Sequence, residues 1–158
     1  MPQAILPSEM STGAPAMDAL HRDFLDALIG LSLTPDKEFE ARYSAFVAKA
    51  ERAFSTEEQW MEEIDFPIIK SHREQHARVL GALHHVHSRI MKGDIATGRE
   101  VVEKLFPQWF VFHMATMDVT LAAALKMTDI GITQPASVLP SPYAGMAPIP
   151  FGSVSTDN

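Results

Sequence analysis

The sequence predicts an all-α protein: an up-down-up-down four-helix bundle with an N-terminal arm and a Pro-rich C-terminal extension. Apolar residues recur at helical spacing in four stretches. The breaks between those stretches are short, which sets successive helices antiparallel. A chain of 158 residues is long enough for one domain with one sizeable core. The expected division is an arm over 1–15, the bundle over 16–127 and an extended tail over 128–158.

Residues 1–15, with Pro2, Pro7, Gly13 and Pro15, read as irregular. The first helix is expected from about Ala16, with Met17, Leu20, Phe24, Leu28 and Leu31 on its buried face and His21 among them. Thr34-Pro35-Asp36 reads as a break and restart, with Thr34 the N-cap and Pro35 the first helical residue. The second helix then runs to about Ile64 on a stripe of Phe39, Tyr43, Phe46, Ala50, Ala53, Phe54, Trp60, Met61 and Ile64. Glu57 lies inside that stripe, and a buried carboxylate is costly unless it is paired or bound to a cation. Glu58, with Glu51 and Asp65 two turns to either side, is assigned to the wet face.

Asp65-Phe66-Pro67 breaks the pattern, and a third helix is expected over Pro67 to Met91. Its stripe is Ile68, Ile69, His72, His76, Val79, Leu80, Leu83 and His87. Two histidines four apart lie one above the other on a helix, so both imidazoles reach one metal ion. Lys92-Gly93-Asp94 forms a turn. The fourth helix runs from Ile95 to about Lys126, with a kink at Pro107 and Leu105, Trp109, Phe110, His113, Met117, Leu121 and Leu125 buried. Asp118 has Met114, Leu121, Ala122 and Leu125 around it and is expected inside as well. After Met127, Pro135, Pro140, Pro142, Pro148 and Pro150 rule out a further helical period.

Composition narrows the chemistry. The net charge of −7 argues against a nucleic-acid partner and against an anionic membrane surface. There is no cysteine, hence no disulfide, thiolate metal site or cysteine nucleophile. No stretch is apolar enough to span a bilayer, and no basic start leads into an apolar run, so the expected address is the cytoplasm.

The polar anomalies belong together. In an up-down-up-down bundle the start of helix 1, the end of helix 2, the start of helix 3 and the end of helix 4 share one end. His21, Glu57, His72, His76, His113 and Asp118 all fall toward that end and face inward. Two buried anions repel each other. One cation with five or six ligands resolves the conflict, as do two cations bridged by the carboxylates. Glu57 and Asp118 arrive from opposite helices, as bridging groups should. His72, His76 and His113 would face one ion, leaving His21 for a second. Imidazole and carboxylate donors without thiolate suit iron. His84, His85 and His87 lie roughly 12–17 Å beyond His72 at ~1.5 Å rise per residue and cannot join this site. His85 is expected in solvent and His87 at the core or its rim.

These residues resemble the hemerythrin family, specifically its bacterial single-domain members, from about Gly13 to Lys126. The likeness is carried by Met17-Asp18-Ala19-Leu20-His21, by Phe54-Ser55-Thr56-Glu57, by His72-x-x-x-His76, and by Trp109-x-x-x-His113 followed by Asp118. The resemblance implies a non-haem di-iron centre bridged by Glu57, Asp118 and a solvent-derived oxygen. It also implies reversible binding of O2, or of NO, for storage, delivery or sensing rather than catalysis. One residue departs from the pattern. The His that precedes Phe on helix 2 of the family is Ala53 here. The iron it would serve keeps His21, Glu57 and Asp118. Three outcomes follow: water fills the gap and leaves a more reactive iron, the second iron binds weakly, or the tail covers the opening. The alternatives in function are an oxidase-like, peroxidase-like or NO-processing enzyme, and a bundle with a partly occupied, mononuclear site.

Overall fold

The computed structural model describes residues 11–128. The expected tail, and its place over one end of the bundle, lie outside the described residues. Within them the chain forms a four-helix bundle with no strand. The helices are α1 (Pro15–Ser32), α2 (Asp36–Glu63), α3 (Ile69–Met91) and α4 (95–126). Connections of a few residues fold each helix back along the last, and α4 closes the bundle against α1 and α2.

α1 is anchored at its start by Asp18. Its carboxylate accepts from the Thr12 backbone N–H at 2.8 Å, the Thr12 hydroxyl at 2.7 Å and the Ser11 hydroxyl at 2.7 Å. Partial burial pushes the Asp18 carboxyl up, but these donors outweigh it and hold it below the usual carboxylate range. At the other end Thr34 does not cap α2 as expected. Its hydroxyl donates to Gly30 O at 2.8 Å and so finishes α1, leaving Pro35 as the N-cap of α2 with no side-chain bond. Arg99 secures the same corner from α4, donating to Thr34 O at 2.7 Å and to the Asp36 carboxylate.

α2 buries the stripe its spacing indicates, with Ile64 only partly covered. α3 starts at Ile69, later than expected, because Asp65 takes a left-handed conformation (φ 52°) that turns the chain first. Ile68 is consequently exposed rather than core, and Val86 and Ile90 complete the buried face beyond Leu83. Asp94 caps α4, accepting from the Thr97 N–H at 3.2 Å and the Thr97 hydroxyl at 2.8 Å. Gly98 lets α4 approach closely, since a Cβ there would stand 2.7 Å from Ile90 Cδ1 and from Phe39 Cε1.

Two widened π-turns interrupt α4, at Val101–Leu105 and Met114–Asp118. The first precedes Pro107, which has no N–H to continue the ordinary ladder. The kink expected at Pro107 is thus a π-turn just before it. Each π-turn inserts one residue and shifts the buried face by one position. Leu105, expected inside, is therefore half exposed, and Phe106 is buried in its place. Met117 is likewise only partly buried while Met114 enters the core. Below the polar groups the core is aromatic. Phe24 meets Phe110 edge to face at 5.1 Å and Phe106 at 6.0 Å, and Phe46 meets Phe106 at 5.0 Å. No helix among the described residues is long and apolar enough to cross a membrane.

Candidate metal centre

Antiparallel packing brings all six singled-out side chains to one end of the core, and none is more than 3% exposed. His21 comes from α1, Glu57 from α2, His72 and His76 from α3, and His113 and Asp118 from α4. His72 and His76 share a face because they are four apart on a regular helix. His113 and Asp118 are five apart, which on a regular helix would splay them. The π-turn between them absorbs the extra residue and returns Asp118 to the face of His113.

Each carboxylate presents one oxygen to each side. Glu57 Oε1 lies 2.7 Å from His21 Nε2, while Glu57 Oε2 lies 3.2 Å from His76 Nε2 and 3.5 Å from His72 Nε2. Asp118 Oδ1 lies 3.0 Å from His72 Nε2 and 3.1 Å from His113 Nε2, while Oδ2 is 3.4 Å from His21 Nε2. Glu57, His72, His76, His113 and Asp118 each offer a ligand atom within 4.8 Å of all the others. His76 Nε2 and His113 Nε2 are 3.2 Å apart. Two ring nitrogens aimed at one point share either a proton or a cation.

The charge states follow from that crowding. Burial pushes the His72 imidazolium down, but the adjacent Asp118 and Glu57 carboxylates outweigh it and raise its pKa to about 9. His21 and His76 are raised in the same way, chiefly by Glu57. Burial pushes Glu57 up, but His21, His72 and His76 hold it well below the carboxylate range. Asp118 is pushed up by burial and by Glu57, and His113 and His72 bring it below its ordinary value.

The group fits a cation better than it fits itself. Among the described residues, Glu57 Oε2, His72 Nε2 and both Asp118 oxygens are buried without a hydrogen-bond partner. Their neighbours are near but out of line. Each such atom costs about 1–3 kcal/mol. A cation on the three-histidine side would satisfy Glu57 Oε2, His72 Nε2 and Asp118 Oδ1 together, while Asp118 Oδ2 faces His21, and carboxylate plus imidazole is a donor set for iron, manganese or zinc.

Two outer residues escaped sequence reasoning. Glu58, assigned above to the wet face, is only partly exposed, and its Oε1 lies 3.2 Å from His76 Nδ1. Arg73 pairs in turn with Glu58 and Glu62. Gln75 accepts from His113 Nδ1 at 2.7 Å. Both sit at the edge of a helix interface, where apolar periodicity carries no signal. A polar side chain one position from a residue of the cluster was the only cue. Away from the centre, His84 pairs with Glu51, His87 sits at the rim 2.6 Å from Glu40, and His85 is exposed.

The family model described as Hemerythrin HHE cation binding domain matches residues 12–125. The chain belongs to the hemerythrin family. A bacteriohemerythrin of Ralstonia nicotianae is 38% identical over 106 residues, which cover 67% of this chain and 77% of that protein. No solved structure matches. The hemerythrin match spans all four helices and every residue of the cluster. Ala53, one turn before Glu57 on the same face of α2, is buried beside it.

Proposed function

We propose that this hemerythrin is a cytoplasmic non-haem di-iron protein, with residues 16–127 as its working domain, that binds O2 reversibly for storage, delivery or sensing. The observation that supports this reading best is the five-residue cluster of buried imidazole and carboxylate with unpartnered atoms. His72, His76 and His113 would hold one iron with Glu57 and Asp118, and His21 would serve a second with the same carboxylates. Iron bound there supplies a reversible electron donor for a diatomic gas.

The chain's own residues prepare that position. Gln75 and Glu58 engage the Nδ1 atoms of His113 and His76, which fixes the rings with Nε2 inward. Metal ligation requires neutral imidazole, so the proton that His72 carries near neutral pH leaves on loading. Phe24 and Phe110 stand edge-on to the His21 ring at 5.8 and 5.1 Å and keep water from that side.

Iron content per chain, measured with the visible spectrum under O2 and under anaerobic conditions, tests the reading. Bound iron with an oxygen-dependent visible band is expected. A colourless protein that takes up no iron overturns it. Ala53 favours a second reading, in which extra open positions process NO or peroxide. Sustained turnover above that of free iron would establish that enzyme.

A further inference from the structure

We propose that the two iron positions are unequal: a five-donor position that fills first and holds its ion, and a His21 position that binds metal loosely and exchanges it. The inference rests on the di-iron reading above and concerns how the same residues are shared out.

The donor count differs from side to side. Five groups place ligand atoms within 4.8 Å of one another, and His21 is not among them. With bonds of ~2.0–2.2 Å, opposite ligands of one ion stand about 4.2 Å apart, so a small contraction encloses an ion in all five. On the other side His21 Nε2 faces Glu57 Oε1 at 2.7 Å and Asp118 Oδ2 at 3.4 Å. Those oxygens point away from the three-histidine side. The His21 position therefore has three protein donors among the described residues.

Among the described residues, nothing nearby supplies a fourth. The His21 ring is flanked by Phe24 and Phe110. Met17, one turn before it on α1, carries a soft thioether that a hard iron ion disfavours. Ala53, one turn before Glu57, ends in a methyl group and is 1% exposed. Lys49, a further turn back, is turned outward and pairs with Asp23 at 3.2 Å. The support for the ligands differs too. His76 and His113, two of the three histidines on the five-donor side, are held at Nδ1, whereas the Nδ1 atoms of His72 and of His21 are buried with no partner among the described residues.

Removing one outer partner of a metal ligand costs about 10–100-fold in affinity, so a deficit of two direct donors separates the positions by at least about 100-fold. The test is an anaerobic titration of the metal-free full chain with Fe(II), and separately with Co(II) as a spectroscopic probe, against a chelator of graded strength. One equivalent that resists chelator and a second that is lost at least about 100-fold more readily are expected. Ala53→His adds an imidazole one turn before Glu57 and is expected to bring the second equivalent close to the first. Ala53→Asp does the same with a smaller side chain should the larger one disturb folding, which circular dichroism reports. Two equivalents of equal affinity in the wild type overturn the inference and leave the di-iron reading standing. A folded Ala53→His and a folded Ala53→Asp that both leave the second equivalent unchanged also overturn it. No bound metal at all overturns both readings.

Discussion

The same four helices build two kinds of core. In the half around Phe24, Phe46, Phe106 and Phe110, rings meet edge to face, Phe106 and Phe110 lie stacked, and the Tyr43 hydroxyl beside them donates to Leu83 O at 2.8 Å. At the other end, with His21 packed directly on Phe24 and Phe110, six ionisable groups occupy equivalent inward positions. The aromatic half is stable by burial alone. Among the described residues, the polar half leaves carboxylate oxygens unpartnered, as a bound cation would not. Stability and ligand binding are thus divided along the bundle axis, and substitutions in the two halves should respond differently to metal.

The largest effect belongs to the aromatic half. Phe106 touches Phe24, Phe46, Trp109 and Phe110, and Phe106→Ala is expected to cost about 3–5 kcal/mol. Denaturant melts of metal-free and loaded protein should fall by similar amounts. A loss confined to the loaded form would break the division.

The next effect is on pH dependence and belongs to the polar half. His72 has its folded pKa raised from 6.5 to about 9. Its contribution to the metal-free protein is present below the unfolded value and is lost as pH rises through about 9. Glu57 and Asp118 are lowered, so their contribution is present above the ordinary carboxylate range and is lost as pH falls below it. Metal-free stability should therefore be greatest between these limits, and loading near pH 7 should release at least about one proton per chain. An indicator dye in weakly buffered solution reads that release directly. Uptake without proton release would mean that these imidazoles are already neutral.

Smaller again is the effect of Glu58. Glu58→Gln removes the charge beside His76 Nδ1 and should weaken metal binding by roughly 10–100-fold with little change in metal-free stability. Chelator competition and a thermal melt on the same sample separate the two quantities. The smallest effect is at Asp94, the cap of α4. Asp94→Ala should lower the melting temperature slightly, as loss of a helix cap does, and leave metal affinity untouched.

Most of this organisation was legible in the sequence because a helix writes its buried face as a period. Glu57 and His113 stood out as polar letters in apolar stripes, and the bundle topology then placed them together. What escaped did so for definite reasons. Leu105 and Phe106 exchanged roles because a π-turn adds a residue that regular spacing does not count. Thr34 carries a hydroxyl able to finish one helix or begin the next, and only the position of Gly30 O decides between them. Glu58 and Gln75 lie on the flank of an interface, where exposure changes within one side chain's length and periodicity is silent.

The π-turn at Met114–Asp118 also bears on how this helix tolerates change in length. It holds one residue more than an ordinary turn, and the segments on either side already face the core. Deleting one residue from its middle would leave His113 and the aspartate four apart on a plain helix, still side by side. Adding one would have no such slack to draw on. The end of α4 that carries the cluster therefore resembles a spliced rope with a little overlap: it can be shortened by one strand's width without letting go of what it holds.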